Sequence, residues 1–383
     1  MDWFIHSAAG AFIGWALPQR RAGPGAAPLV LVGALLPDVD SFIEPFLDPR
    51  SGFAHRAATH SLLGVAVLAP LAALLALRFC KEKRFARVVA LIAIGMLSHV
   101  MLDLPTPMGG VLFYPFSRTH VRLDILGYVD WTLFALALFV LLAVWTYANR
   151  NAAGRRGILS AVLLSTLAWW LFSEWPTLAF YFAATVEEAT EEPVRTVYPL
   201  VLGAILLGLF TAFARTGWGF RQDRAVFGRI GVAAFAIYLA LCVTAQGIAL
   251  SRTQQFTRER GVVVWRQAAS RMGYSSLVGP LRWTGLVLAP EGVYVAQVDL
   301  FGARSPAVTL FPRTTENPFI AKSRSIPEVQ RLMSAARFPV TRYRMEKGQH
   351  IVEYQEYGLS WRPLLRLVLN ERQEVLAVGW IEH

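Results

Sequence analysis

The chain has 383 residues, is 55% hydrophobic and 16% charged, and has a mean hydropathy of +0.43. Soluble chains average about 25% charged residues, so this composition excludes a wholly soluble protein. The net charge of +11 lies largely in short Arg/Lys clusters between apolar runs, so a nucleic acid is not expected as a partner and the lipid bilayer is.

Apolar runs cover residues 3–17, 28–39, 61–79, 86–102, 128–147, 158–182, 196–213 and 229–250. They predict an all-α polytopic membrane domain of about 6–8 segments over residues 1–250. The first two runs are short for a hydrocarbon core of about 30 Å, so a re-entrant hairpin is the alternative to two full spans. The opening "MDWFIHSAAGAFIGWALPQRR" lacks the basic start of a signal peptide.

Basic clusters mark alternate connections: Arg20 and Arg21; Lys81, Lys83, Arg84 and Arg87; Arg150, Arg155 and Arg156; Arg215, Arg221, Arg224 and Arg229. The positive-inside rule assigns these to the cytoplasm, and the 40–60 and 103–127 connections to the outer face. Residues 251–383 then follow as a small extracytoplasmic α+β soluble domain. In it, "SRTQQFTRERGVVVWRQAASRM" predicts a charged helical lead-in and "RWTGLVLAPEGVYVAQVDLF" a hairpin. "IPEVQRLMSAARF" predicts an amphipathic helix opened by proline. Two further hairpins are expected, turning near Lys347-Gly348 and Asn370-Glu371.

Ionisable residues gather at one end of the first four runs. His6 opens the first, Asp38 and Asp40 close the second, His55 and His60 precede the third, and His99 and Asp103 close the fourth. Elements of alternating direction bring all of them to the outer boundary. Carboxylates there require partners or a wet cavity. Histidines with carboxylates are the usual ligands of zinc and related ions. His99 and Asp103, at i and i+4, share a helix face. His60 is expected in the first turn of the third helix, with Thr59 as its cap. The set exceeds one tetrahedral shell, so one or two divalent ions are expected, zinc first and manganese second. Gly10, Gly64 and Gly95 each lie one turn from a histidine of the set, deeper into the membrane, which favours close helix approach. His350 and His383 read as unrelated surface residues. Cys80 and Cys242 stand in no metal-binding spacing.

At these residues the sequence resembles the YdjM-like family of inner-membrane, metal-dependent hydrolases. The resemblance rests on "LLPDVD", "HRAATHSLLG" and "GMLSHVMLDLPTPMGGVLFYPF", and covers roughly residues 1–130. The form with a further soluble C-terminal domain is similar to a subgroup. Ala57 stands where the family has glycine. The resemblance implies Asp38, Asp40, His55, His60, His99 and Asp103 as site residues, with Arg56, Thr59 and Thr106 supporting them at the substrate, and His6 as the common early histidine. It implies a bacterial inner-membrane hydrolase whose substrate it does not define; the level of the set at the membrane boundary favours a small or lipid-linked ester or phosphoester. Asp40 or Asp103 would be the general base, and Arg56 would pair with an anionic oxygen. A metal-ion transporter, or a metal-binding scaffold, is the competing class. Transporters place ligands near the midplane in repeated halves, and residues 128–250 hold no second copy of the set.

Overall fold

The computed structural model describes residues 3–18, 23, 25–43, 56–127, 129–173, 192–271, 281–300, 306–314, 317–357 and 364–381. Packing divides the chain into two units. One holds Met1–Leu123, Val129–Ala240 and Ser275–Leu277, and the other Asp124–Tyr128, Leu241–Tyr274 and Val278–His383.

The first unit is helical: α1 Trp3–Ala16, α2 Ala26–Leu35, a 3-10 turn Pro37–Val39, α3 Asp40–Ile43, α4 Leu62–Ala76, α5 Phe85–Asp103, α6 Trp131–Tyr147, α7 Ala153–Ser173, α8 Glu192–Arg215, α9 Trp218–Arg221 and the first part of α10 Arg224–Glu259. Among the described residues, α5 and α10 are long and apolar enough to cross a membrane. A third span is added if α6 and residues 150–167, which meet at 114°, form one broken crossing. Among the described residues, two or three of the expected 6–8 segments are full-length candidates, beside shorter apolar helices. At about 1.5 Å per residue, α1 and α2 each fall short of about 30 Å of hydrocarbon.

Helix α2 packs between α1 and α5. Its Leu29 and Val30 join Val65 and Ala69 of α4 and Val88, Ile92 and Met96 of α5 in one core. Glycine sets the closeness of this contact. A Cβ on Gly95 would collide with the Val30 carbonyl oxygen, and one on Gly10 would meet Ala34 Cβ at 2.7 Å. Gly64 serves a different purpose, because a Cβ there would strike the Ala58 carbonyl of its own leading turn. The cap of α4 also differs from the expected Thr59. Ser61 fills that position, accepting from the Gly64 amide at 2.9 Å, and His60 sits in the turn before the helix.

The second unit carries two four-stranded antiparallel sheets, each in chain order. They are β1 Arg266–Ser270, β2 Arg282–Ala289, β3 Gly292–Asp299 and β4 Ala307–Pro312, then β5 Pro339–Glu346, β6 Gln349–Glu356, β7 Leu364–Leu369 and β8 Val375–Ile381. Helices α11 Pro318–Ser323 and α12 Pro327–Ala335 place Ile320, Val329 and Leu332 on Val352, Tyr354, Leu365, Leu367 and Leu369. All three expected hairpins are present. Lys347 and Gly348 both take positive φ, the two-residue turn whose twist matches its strands. The charged lead-in is helical only to Glu259, where α10 ends, and its last third is β1. Arginine, glutamine and glutamate are good helix formers, so α10 continues past the end of its apolar run. Packing accordingly places the boundary at 240/241, and residues 124–128 belong with the sheets.

Candidate metal centre

Four segments of the helical unit deliver the ionisable residues. His6 comes from the first turns of α1, Asp38 from the 3-10 turn, His60 from the turn before α4, and His99 and Asp103 from the last turns of α5. Pro37 explains the position of Asp38, because it opens the 3-10 turn that follows α2. All five residues are buried, His6 and His99 completely.

The donor atoms converge. His60 Nε2 lies 3.1 Å from His99 Nε2. Asp38 Oδ1 is 3.4 Å from each of these nitrogens, and Asp103 Oδ2 is 3.4 Å from His60 Nε2 and 3.5 Å from His99 Nε2. Ligands bonded tetrahedrally to a zinc-sized ion at about 2.0–2.1 Å are separated by about 3.3–3.4 Å. These five separations have the length of the edges of such a shell. His6 adds a further donor, with its ring stacked on His99 at 3.6 Å between centroids and its Nε2 3.4 Å from Asp103 Oδ1. Both His6 ring nitrogens are buried without a hydrogen-bond partner. Two overlapping triads can therefore hold an ion: His6 with Asp38 and His99, and His60 with His99 and Asp103.

The outer nitrogen of His99 has a fixed role. Its Nδ1 lies 2.7 Å from the Ala34 carbonyl oxygen, which can only accept. Nδ1 therefore carries the hydrogen, and in the neutral ring Nε2 presents a lone pair to the cluster. The Ala34 carbonyl is available because the last carbonyls of a helix have no intrahelical partner, and α2 ends at Leu35. The set holds three aspartates and one arginine, which lies beside Asp103, so its charge favours a cation.

The supporting residues surround this centre. Asp40 stands on the other side of the His60 ring, with Oδ2 3.4 Å from Nδ1. Its side chain is 17% exposed, the most accessible carboxylate of the three. The Thr59 hydroxyl donates to Asp40 Oδ2 at 2.5 Å and lies 2.9 Å from His60 Nδ1. Arg56 was expected at the substrate, but its side chain is buried. Nη1 donates to Thr106 Oγ1 at 3.4 Å and to the Gly109 carbonyl at 3.3 Å, while Nη2 lies 3.4 Å from Asp103 Oδ1. Its backbone is left-handed at φ 68, a conformation costing about 1–2 kcal/mol. The Arg56 amide donates to Asp40 Oδ2 and its carbonyl accepts from Val111 N, which holds that conformation. Thr106 is fully buried, and its hydroxyl donates to the Asp103 carbonyl at 2.7 Å. His55 lies outside the described residues.

Two contributors were missing from the residue-type reading. One is the Ala34 carbonyl, whose only sequence signal is the proline three residues on. The other is the Gly109 carbonyl, at a positive-φ glycine within "PTPMGG". A further buried carboxylate of this unit is Asp130, directly before α6. It caps α6 through Leu133 N at 3.1 Å and accepts from the Tyr238 hydroxyl at 2.9 Å.

No curated protein and no solved structure matches the chain. A family model described as YdjM inner membrane protein matches residues 1–178, the stretch that contains the whole centre. The family and the apolar helices agree on a membrane location. Over that stretch the chain is similar to the YdjM inner membrane protein family, and a unit of two antiparallel sheets follows C-terminal to it.

Proposed function

We propose that the chain is a membrane-bound, metal-dependent hydrolase of amphipathic or lipid-linked esters or phosphoesters, with its site at the outer membrane boundary. The observation that carries this reading is the convergence of His60 Nε2, His99 Nε2, Asp38 Oδ1 and Asp103 Oδ2 at ion-shell spacing. These four residues, with His6 beside them, would hold one or two divalent ions, zinc first and manganese second. Such an ion supplies Lewis acidity, lowering the pKa of a bound water and polarising the scissile group.

The remaining chemistry belongs to side chains. Asp40, the most accessible carboxylate, is placed to take a proton from a water arriving from solvent. Arg56 holds Asp103 through Oδ1, so its buried guanidinium orients that carboxylate for the centre. Thr106 fixes the turn that follows α5. The basic-residue asymmetry of alternate connections supports an outward-facing site and an extracytoplasmic C-terminal unit.

Two experiments test this. Purified full-length protein should contain stoichiometric zinc or manganese and turn over a member of an ester, phosphoester and amide panel. Vesicle uptake of the metal without turnover of any member would favour the transporter. For orientation, Thr119→Cys should react with an impermeant thiol reagent from outside the cell and Asn151→Cys should not, in a background lacking Cys80 and Cys242. The reverse labelling would put the site in the cytoplasm.

A further inference from the structure

The hydrogens around His60 can be counted, and the count decides which of its nitrogens faces the cluster. Thr59 has one hydroxyl hydrogen, and it points to Asp40 Oδ2 at 2.5 Å. A carboxylate accepts and does not donate. With its hydrogen committed to Asp40, Thr59 Oγ1 can only accept at the His60 Nδ1 contact of 2.9 Å. That hydrogen must come from the ring. Nδ1 is then the protonated nitrogen of the neutral imidazole, and Nε2 carries the lone pair.

We infer that Asp40 and Thr59 form a directional relay that locks the tautomer of His60, which gives Asp40 a positioning role beside its part as base and makes Thr59 a positioning residue instead of a substrate contact. The inference rests on the metal-site reading above. Asp40 sits on the Nδ1 side of the ring, whereas Asp38 and Asp103 sit on the Nε2 side. His99 is locked in the same sense by a different device, the Ala34 carbonyl at 2.7 Å. The two imidazoles thus turn lone pairs towards each other across 3.1 Å, an arrangement that repels without a cation between them. Outer partners that fix ring orientation and tautomer typically change metal affinity by about 10–100-fold when removed.

The relay has a direction, so its two ends behave differently from independent contacts. Removing Asp40 releases the Thr59 hydrogen, which can rotate to donate to Nδ1 and impose the wrong tautomer. Removing the hydroxyl leaves Nδ1 without its nearest acceptor. Either change breaks the same chain, so the second should add little to the first.

The test is zinc and manganese affinity of the full-length protein in detergent, measured by competition with a chelator. Thr59→Val should weaken affinity about 10–100-fold, and Thr59→Ser, which keeps the hydroxyl, should stay within about threefold of the wild type. Asp40→Ala should match Thr59→Val, and the double variant should be no weaker than the worse single one. Equal loss in Thr59→Val and Thr59→Ser would show a packing role and overturn the relay. Additive losses, with Asp40→Ala far the weaker, would make Asp40 a direct ligand and overturn it equally. Thermal unfolding of the metal-free variants separates misfolding from loss of the lock, since the relay leaves that transition near its wild-type position. Wild-type protein that binds neither metal would defeat the hydrolase reading itself, a result distinct from wild-type affinity in Thr59→Val, which defeats only the relay.

Discussion

Both units bury carboxylates, but they surround them differently. In the sheet unit, Glu356 accepts from the Arg337 and Phe338 amides at 2.8 and 3.1 Å, and Glu353 accepts from Arg366 at 2.8 Å. Asp124 accepts from Ser270 and, at 2.6 Å, from Arg337. Each acceptor there faces donors, which is how buried polar groups ordinarily persist. In the helical unit, Asp38 Oδ1 and Asp103 Oδ2 instead face two imidazole nitrogens, one of them held as an acceptor by the Ala34 carbonyl, while Asp103 Oδ1 faces Arg56. Burial is common to both units; the groups that the buried carboxylates face are what differ.

The largest expected break of that contrast is His99→Ala. It removes a ligand that belongs to both triads, so affinity for zinc should fall by more than the roughly 100-fold expected at the upper end for an outer partner. Chelator competition reads this directly, and turnover should vanish with the metal. Full activity in a metal-free His99→Ala preparation would end the hydrolase mechanism.

Glu356→Ala should do the opposite. It leaves the buried Phe338 amide and the part-buried Arg337 amide without this acceptor and should cost about 1.5–3 kcal/mol of stability, with metal affinity unchanged from wild type. Chemical unfolding alongside metal content measures both halves. A loss of metal in this variant would erase the distinction between the two kinds of burial.

The smallest effect is expected at His350, a histidine of the sheet unit. It stacks on Phe319 at 3.7 Å and shares a 2.8 Å hydrogen bond with the Tyr343 hydroxyl. His350→Ala should lower stability by only about 0.5–1.5 kcal/mol and leave metal content untouched. The pair His99→Ala and His350→Ala thus compares one residue type in two environments.

Much of this division was legible in the residues. Recurrent apolar runs mark the helices, and proline or glycine turns mark the hairpins of the sheet unit, because burial pattern and turn chemistry act locally. His6, Asp38, His60, His99 and Asp103 were legible as a set because each closes or opens an apolar run at the same end. Strand β4 and the strand that ends the charged lead-in were not, since each is only five or six residues long and is defined by pairing across a loop with the neighbouring strand. Ser61 displaced Thr59 as the cap because both residue types accept from a helix amide, and only the backbone path decides between them. The inward turn of Arg56 depended on a left-handed backbone that residue type does not announce for arginine. The Ala34 carbonyl has only Pro37 as a signal, because every residue carries a carbonyl and only the end of α2 frees this one.

Residues 6, 38, 60 and 99–103 belong to four separate stretches of chain, and the same few ångströms join all of them. An ion gripped by that set is a cross-link as well as a reagent. It closes several loops of the polypeptide at once, and it can do so only after each stretch has reached its place beside the others. On the metal-site proposal, uptake of an ion would therefore report that the first four segments have finished assembling, and a chain arrested partway through insertion would remain unloaded.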